Sequence, residues 1–347
     1  MTTAPLTRLQ PFVAKLADGG RLSRQEAAAA FEVIMTGEAT DAQIAALLMG
    51  MRVRDETVDE IVGAAEIMRA KALGVTAPPD AIDTCGTGSD ARGTFNISTC
   101  AAFVVAGAGV PVAKHGNKSI TSRSGSSDVL TALGVTIGVA PEVVTRAIDT
   151  AGIGFMAAPA HHSATRHVMP IRAQLGIRTL LHILGPLSNP AGVKRQLLGV
   201  YDRRWLRPLA EVLGKLGSTR AWVVHGSDGL DELSTTGPSY VASLADGAVT
   251  EFEVTPEDAG VPRATLDQLA GGEPEENAAA IRDVLNGAHG AFRDIVVLNA
   301  GAALFVAGKA GDLAGGADLA RAALDNGSAL RALDTLVAVT NEGAAHG

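Results

Sequence analysis

The chain has 347 residues, more than one hydrophobic core usually contains, which predicts two domains or one α/β domain with a helical appendage. Its formal net charge of −8 excludes a broadly basic nucleic-acid-binding surface, and an aromatic content of 3% argues against a platform for stacked bases. The only two cysteines, Cys85 and Cys100, lack CxxC spacing, so we expect neither a zinc site nor a disulfide, and the reducing cytoplasm is the expected compartment. We expect neither a leader peptide nor a membrane span, because no apolar run is long and clean enough.

Residues 1–74 predict a separate helical layer. Three capping boxes, each a Ser or Thr followed three residues later by Glu or Gln, mark helix starts: Ser23 with Glu26, Thr40 with Gln43, and Thr57 with Glu60. A first helix is expected over Leu6–Leu16. Breaks at Gly74 and Pro78-Pro79 end this helical region.

The pattern then changes to short apolar strands that alternate with helices. The predicted strands are Ala81–Cys85, Val110–Lys114, Ile153–Ala157, Leu197–Tyr201 and Ala221–Val224. This alternation predicts an α/β domain over residues 75–347, with a mainly parallel sheet whose ligands bind at the carboxyl ends of the strands. The more polar stretch Tyr240–Val254 predicts a hairpin, and mostly helix is expected from there to about Leu336.

An acid-free stretch runs from Ala91 to Ser127 although the chain has 37 acidic and 29 basic residues. It follows the glycine-rich string GTGSD, Gly86–Asp90, and contains Arg92, Lys114, Lys118 and Arg123. Such a composition favours a polyanion site, because backbone N–H groups, hydroxyls and cationic side chains replace the water around phosphate. A Rossmann site is weakly supported, no P-loop string is present, and a tight strand-to-helix turn without a ligand stays open.

Two further strings extend the predicted phosphate site. Asn96, Ser98 and Thr99 cluster where a helix should begin near Ser98, and free N–H groups at a helix start attract anions. Lys114–Asn117, KHGN, closes a predicted strand and precedes a loop of Ser, Thr, Gly and basic residues, so that Lys114 would reach a phosphate. For His115, a structural and a catalytic role both stay open.

Together these strings resemble the anthranilate phosphoribosyltransferase family nearly from end to end. Five ordered motifs carry the resemblance: Gly86–Asp90, Asn96–Thr99, Lys114–Asn117, GIRTLLHILGPLSNPA at Gly176–Ala191, and DELS at Asp231–Ser234. The resemblance implies transfer of a phosphoribosyl group from phosphoribosyl pyrophosphate to anthranilate in tryptophan biosynthesis. It also implies a homodimer, in which a small helical domain, joined by a helical segment near residues 172–188, is hinged to the larger α/β domain with the site in the cleft.

The resemblance further implies three sets of site residues. Those expected at phosphoribosyl pyrophosphate are Gly86, Ser89, Asp90, Thr94, Asn96, Ile97, Ser98, Thr99, Lys114, Ser122 and Ser126. Those expected at anthranilate are Gly86, Asn117, Arg172, Gly185 and His162, and those expected at Mg²⁺ are Ser98, Asp231 and Glu232. An Asp-Glu pair alone is usually a solvated turn and an arginine alone usually a surface ion pair, so both roles depend on the resemblance.

These roles are chemically consistent. As pyrophosphate leaves ribose C1, the negative charge that grows on it must be neutralised. Mg²⁺ can do this, because it takes one or two carboxylates as ligands together with substrate oxygens. The planar fork of Arg172 suits a carboxylate, and the anthranilate amine is largely unprotonated at neutral pH, so no general base is demanded.

The sequence departs from the family pattern at three places. Ser89 replaces the second glycine of GTGGD, His161-His162 stands where many relatives have Tyr-His, and His182 stands where they have Asn. Two other functions stay open: a pyrimidine nucleoside phosphorylase, and a nonenzymatic relative that binds nucleic acid, which would have a basic cleft rim and lack the DELS acids.

Overall fold

The computed structural model describes residues 8–88, 92–118 and 123–344, and these divide into two compact units. The helical unit comprises Met1–Leu73 and His161–Pro190, and the α/β unit comprises Gly74–Ala160 and Ala191–Gly347. The second segment of the helical unit is therefore longer than the expected joining segment at 172–188.

The helical unit begins with four helices whose starts follow from the sequence. They are α1 (Gln10–Ala17), α2 (Arg24–Met35), α3 (Asp41–Val53) and α4 (Val58–Ala70). The three predicted capping boxes are all formed, at the starts of α2, α3 and α4. The first helix begins later than expected, at Gln10, because Pro11 occupies its first turn, where a missing N–H costs nothing.

The remaining helices lie farther along the chain. They are α5 (Ile97–Gly107), α6 (Ser126–Ala132), α7 (Pro141–Ala151), α8 (Ala158–His161), α9 (Met169–Leu175), α10 (Leu181–Leu184), α11 (Leu206–Lys215), α12 (Pro274–Leu285), α13 (Ala291–Val306), α14 (Leu313–Asp325) and α15 (Ser328–Ala344). Short 3₁₀ helices cover Ser163–His167, Arg203–Trp205, Pro256–Ala259 and Leu266–Leu269. Among the residues described, no helix is both long and apolar enough to cross a membrane.

The α/β unit contains a sheet of seven strands within the described part of the chain. They are β1 (Ile82–Gly86), β2 (Val112–Gly116), β3 (Ile153–Ala157), β4 (Arg195–Gly199), β5 (Arg220–Gly226), β6 (Ser239–Ala245) and β7 (Ala248–Val254). Their order is β3-β2-β1-β4-β5-β6-β7, with β1 to β5 parallel and the β6–β7 hairpin antiparallel. The predicted fold class, a small helical domain with a mainly parallel α/β domain, is confirmed.

Two strand ends near the predicted site are wrong by two residues. Strand β2 ends at Gly116 rather than at Lys114, because Lys114 and His115 pair in register with Phe155 and Met156 of β3. Strand β4 ends at Gly199 rather than at Tyr201. Helix α5 begins at Ile97, next to Ser98 as expected.

Helix α13 lies in the core of the α/β unit. Nearly all of its residues are buried, and it packs on α5 and α14. A Cβ at Gly301 would lie 2.7 Å from the backbone nitrogen of Ala317, so glycine permits the close approach of α13 to α14. This packing places α13 beneath the segment that follows β5.

Candidate active site

The carboxyl ends of β1 and β4 hold a pair of glycines that accommodate Asp231. Gly86 and Gly199 are partners in the parallel register. A Cβ on Gly86 would lie 2.5 Å from Asp231 Oδ2, and a Cβ on Gly199 would overlap the backbone carbonyl oxygen of Asp231. Two strand ends without side chains therefore let the segment that carries Asp231 lie directly against the sheet.

The structure brings the three expected metal residues together. Asp231 Oδ2 accepts a hydrogen bond from the backbone N–H of Gly88 (2.7 Å), and Glu232 Oε1 accepts one from the backbone N–H of Ser98 (3.2 Å). Asp231 is buried and Glu232 is half-buried. Carboxylate and hydroxyl oxygens are hard donors of the kind that Mg²⁺ prefers.

Water molecules or substrate oxygens would have to complete such a metal site. Within residues 8–88, 92–118 and 123–344, no group of three or more His, Cys, Asp or Glu side chains is arranged to hold a metal ion. Mg²⁺ commonly binds through one or two carboxylates and the phosphates of its substrate, so a pair of acids fits this ion.

The start of α5 differs from the expectation in one respect. We expected its free N–H groups to attract phosphate, but the N–H of Ser98 donates to Glu232 and that of Ile97 donates to the carbonyl of Phe95. The anion at this helix start is thus a side chain of the protein itself. Ile97 and Thr99 are buried, and Ser98 is half-buried.

Asn96 connects the β1 loop (residues 87–96) with the β2 loop (residues 117–125). Its Nδ2 donates to the carbonyl of Ser124 (3.1 Å), and its Oδ1 accepts from Ser124 Oγ (3.2 Å) and from Asn277 Nδ2 (2.9 Å). Both loops follow neighbouring parallel strands, so these bonds join the two predicted phosphate-binding strings at one edge of the sheet.

The strand that contains Lys114 and His115 buries both residues. Lys114 is 2% exposed, and its Nζ donates to the backbone carbonyl of Thr84 in β1. The ammonium therefore lies beneath the strand ends and not, as expected, at the end of its own strand, because β2 continues past it. His115 is also buried, and its backbone N–H donates to Asp83 Oδ1 (3.1 Å).

Other expected residues lie at the loop ends. Ser126 Oγ donates to the carbonyl of Asn117 (3.2 Å), which closes the β2 loop at the start of α6. Thr94 forms an isolated bridge with Ala270. Three expected phosphate residues, Ser89, Asp90 and Ser122, lie outside the described residues.

The expected aromatic-substrate residues are divided between the units, with Gly86 and Asn117 in the α/β unit and Arg172, Gly185 and His162 in the helical unit. Arg172 lies in α9 and is half-buried, and burial lowers the pKa of its guanidinium. Gly185 follows α10, and a Cβ there would meet no atom within 4 Å.

Two histidines of the helical unit, His162 and His182, have lowered pKa values, which favours their neutral form. Burial, followed by the charge of His161, lowers the pKa of His162 to about 4. Burial, followed by the charge of Arg172, lowers the pKa of His182 to about 4, and the N–H of Thr179 donates to His182 Nδ1 (3.2 Å). Arg172 and His182 therefore share one poorly solvated environment in this unit.

Several residues that shape the site carry no signal of their role in the sequence. Gly199 lies inside the predicted strand Leu197–Tyr201, and Asn277 and Asn299 lie in the sequence of otherwise ordinary helices. Each contacts a residue that is distant in the sequence, so only the fold reveals it.

Two domain families match the chain. Residues 10–72 match the glycosyl transferase family, helical bundle domain, and residues 78–330 match the glycosyl transferase family, a/b domain. The fold and site therefore define a glycosyl transferase composed of these two domains.

Individual relatives narrow this class. The chain is 58% identical to an anthranilate phosphoribosyltransferase of Rhodopseudomonas palustris, over 95% of this chain and 97% of the relative. It is 43% identical to the crystal structure of anthranilate phosphoribosyltransferase from Thermus thermophilus, with a TM-score of 0.91, over 95% of this chain and 99% of that one. It is 28% identical to the Saccharomyces cerevisiae enzyme in complex with phosphoribosyl pyrophosphate and Mg, with a TM-score of 0.88, over 96% and 98% of the two chains. The chain belongs to the anthranilate phosphoribosyltransferase family, which confirms the resemblance of the five motifs.

Proposed function

We propose that this chain transfers the phosphoribosyl group of phosphoribosyl pyrophosphate to the amine of anthranilate, with release of pyrophosphate, as a step of tryptophan biosynthesis. One observation carries the assignment of the site: Asp231, Glu232 and Ser98 lie together at the carboxyl ends of the parallel strands, where α/β proteins bind ligands. The β1 and β2 loops beside them supply the groups for the phosphates.

Mg²⁺ fits the residues at this place. The carboxylates of Asp231 and Glu232 and the hydroxyl of Ser98 would hold it, together with oxygens of the substrate. When bound, the ion neutralises the negative charge that develops on the departing pyrophosphate. The chain's own contribution is to fix the two acids by the N–H groups of Gly88 and Ser98, so that little rearrangement is needed.

The phosphoribosyl residues are assigned to the two loops. Gly86, Ser89, Asp90, Thr94, Asn96, Ile97, Ser98 and Thr99 come from β1, its loop and the start of α5, and Lys114, Ser122 and Ser126 come from β2 and its loop. We assign Lys114 a supporting role, because its Nζ donates to Thr84 and orders the end of β1. This strand carries Gly86, against which Asp231 packs.

Anthranilate is assigned to Arg172, Gly185 and His162 of the helical unit and to Asn117 and Gly86 of the α/β unit. A guanidinium in a poorly solvated environment gains more from a carboxylate partner than one in water, and burial lowers the pKa of Arg172. The aromatic amine is largely unprotonated at neutral pH, so transfer needs no general base. This leaves His115, which is buried within β2, a structural role.

A homodimer in the cytoplasm completes the proposal. Of the alternatives, a pyrimidine nucleoside phosphorylase would use phosphate as the nucleophile and would not need Asp231 and Glu232. A nucleic-acid-binding relative would lack these acids, which this chain retains.

The test is the fluorescence-monitored consumption of anthranilate with phosphoribosyl pyrophosphate and Mg²⁺. We expect turnover that stops in excess chelator, and a loss of about a thousandfold, near 4 kcal/mol of transition-state stabilisation, for Asp231→Asn with Glu232→Gln. The matched control is Glu251→Gln with Glu253→Gln, which removes the same charge from the exposed face of β7 and should keep full activity. Full turnover in chelator would contradict the metal assignment, and phosphorolysis of thymidine or uridine without anthranilate consumption would contradict the proposed reaction.

A further inference from the structure

The two acids proposed to hold Mg²⁺, Asp231 and Glu232, lie on a segment without regular secondary structure. The acidic loop, residues 227–238, connects β5 with β6 and contains neither helix nor strand. A metal site requires its ligands to be fixed within about 0.5 Å, so an irregular loop needs bonds from outside to hold it. The bonds that flank Asp231 and Glu232 are therefore informative.

The residue directly after the acid pair is held by Asn299 of α13. The N–H of Leu233 donates to Asn299 Oδ1 (3.0 Å), and Asn299 Nδ2 donates to the carbonyl of Leu233 (2.8 Å). The same Nδ2 also donates to the carbonyl of Ile295 within its own helix (2.9 Å). One side-chain amide thus pairs with both backbone groups of a single residue, as a neighbouring strand would.

The residue directly before the acid pair is held in a similar way. The N–H of Leu230 donates to Asp228 Oδ1 (3.1 Å), and its carbonyl accepts from the N–H of Gly226 (2.9 Å). Asp228 Oδ2 accepts from the hydroxyls of Ser234 and Thr236. Both neighbours of the acid pair therefore have their backbone N–H and carbonyl groups engaged.

The side-chain amide of Asn299 is buried in a place where a polar group without hydrogen-bond partners would be destabilising. Asn299 is fully buried in α13, within the run VVLNAGAALF, and Leu230 and Leu233 are fully buried as well. A buried amide without partners destabilises the fold, whereas leucine would suit the surrounding core. Here the bonds to Leu233 offset that cost, and they lie next to Glu232.

We propose that Asn299, supported by Asp228, is a positioning residue that holds the carboxylates of Asp231 and Glu232 in the geometry that binds the divalent cation. This inference rests on the proposed function, in which these two acids hold Mg²⁺. Asn299 and Asp228 are not assigned to contact with the substrate. They act through Leu233 and Leu230, so their loss leaves both acids in place but poorly oriented.

The experiment measures divalent-cation binding directly. Mn²⁺ alone is titrated into the full chain and free Mn²⁺ is followed by electron paramagnetic resonance, and the Mg²⁺ concentration for half-maximal activity is measured in parallel. Asn299→Leu removes both bonds to Leu233, and Asn299→Asp keeps the acceptor but loses the donor. We expect both to weaken Mn²⁺ binding and to raise the Mg²⁺ requirement about tenfold, as is typical when groups behind metal ligands are lost. The KM for anthranilate should stay unchanged.

Two other variants separate positioning from general destabilisation. Thr340→Val removes a buried hydroxyl of α15 that accepts from the N–H of Thr136 (3.2 Å) and makes no hydrogen bond to the acidic loop. It should lower the melting temperature without changing Mn²⁺ binding. If Asn299→Leu does not fold, Asp228→Asn is used in its place, because the Asp228 carboxylate accepts from two hydroxyls. Asp228→Asn should weaken Mn²⁺ binding about threefold or more.

The outcomes distinguish the positioning role from the metal site itself. Equal Mn²⁺ binding by wild type and by Asp231→Asn with Glu232→Gln would refute the metal assignment, and the positioning role with it. A different outcome is that the double variant loses Mn²⁺ binding while folded variants of Asn299 and Asp228 bind Mn²⁺ as the wild type does. That result would refute the positioning role alone.

Discussion

The acidic loop of the α/β unit and the Arg172–His182 region of the helical unit differ in how their surroundings act on charged side chains. In the acidic loop, Asp231 and Glu232 accept hydrogen bonds from the backbone N–H groups of Gly88 and Ser98, which stabilise the charged form of a carboxylate. In the helical unit, burial lowers the pKa of Arg172 and of His182 and so disfavours their charge. In the first region both acids have hydrogen-bond donors without a substrate. In the second, burial alone lowers the pKa of Arg172, with no acidic side chain of the described residues acting on it, and the carboxylate of anthranilate would bring that counter-charge.

The two regions should therefore respond to different changes. The acidic loop depends on backbone geometry, because its acids are held by N–H groups and by close packing on glycines. The Arg172–His182 region depends on solvation and on side-chain charge. A change in shape should therefore damage the first, and a change in charge or pH should affect the second.

The largest effect is expected from Gly199→Ala, which changes the shape of the surface that the acidic loop packs on. A Cβ at residue 199 would overlap the backbone carbonyl oxygen of Asp231, which cannot rotate away as a side chain would. The acidic loop must shift, so we expect a loss of about 1–3 kcal/mol in the free energy of unfolding, as for other overpacked sites. We also expect kcat/KM to fall about a hundredfold, because displacements near 1 Å can cost this much. Urea unfolding and steady-state kinetics check both values.

The control for this substitution is Gly311→Ala. A Cβ at residue 311 would meet no atom within 4 Å, and its backbone is outside the left-handed region. It should leave stability and activity near those of wild type. If Gly199→Ala behaves like Gly311→Ala, close packing against Asp231 is not what fixes the acidic loop.

The sequence predicted the elements of both regions better than their contacts. The capping boxes fixed the starts of α2, α3 and α4, because such a box is formed by residues three apart in the chain. The alternation of strands and helices placed Gly86 and Asn117 at one edge of a parallel sheet, whereas the role of the DELS acids came only from the family resemblance. These features depend on local chemistry or on a general rule of topology.

The sequence could not reveal contacts between distant residues. The bond of Asn299 to Leu233 joins residues 66 apart, and Gly199 is critical only because Asp231 packs on it. Lys114 was misplaced for a related reason. A buried strand usually ends at a charged residue. Strand β2 continues past Lys114, because the buried ammonium of this residue donates a hydrogen bond to the carbonyl of Thr84.

An intermediate effect is expected from Arg172→Ala, which removes the cationic group of the Arg172–His182 region. Charge-assisted hydrogen bonds contribute about 1.5–3 kcal/mol, so we expect the KM for anthranilate to rise about 10–100-fold. The KM for phosphoribosyl pyrophosphate should stay nearly unchanged, because the guanidinium is assigned only to the aromatic carboxylate. Steady-state kinetics with each substrate varied in turn measure both constants.

Arg166→Ala provides the matched control in the same unit. Arg166 is exposed and donates to the carbonyl of Ser163, and its removal should leave both KM values as in wild type. If Arg172→Ala weakens the two substrates equally, Arg172 belongs to the structure of the unit or to the phosphate site, and the contrast between the regions disappears.

The smallest effect concerns the pH dependence of stability and tests the solvation of the helical unit. The pKa of His182 is lowered to about 4 in the folded chain, from its ordinary value near 6.5. Above pH 6.5 the side chain is neutral in both the folded and the unfolded chain. Between pH 6.5 and 4 the unfolded chain binds a proton that the folded chain does not, so the stability falls as the pH falls. Below pH 4 the loss is complete.

His182→Asn isolates this contribution, because the amide oxygen of asparagine can accept from the N–H of Thr179 as Nδ1 of His182 does and cannot be protonated. The wild type should lose about 1–2 kcal/mol more than His182→Asn between pH 7 and 4.5. Urea unfolding at the two pH values measures the difference, with His289→Asn at an exposed position as the control that should retain the wild-type pH dependence. Carboxylates and His162 contribute equally to wild type and variant and cancel in the comparison. An identical loss in wild type and His182→Asn would mean that His182 is well solvated, and the helical unit would then not be the poorly solvated region that the contrast with the acidic loop requires.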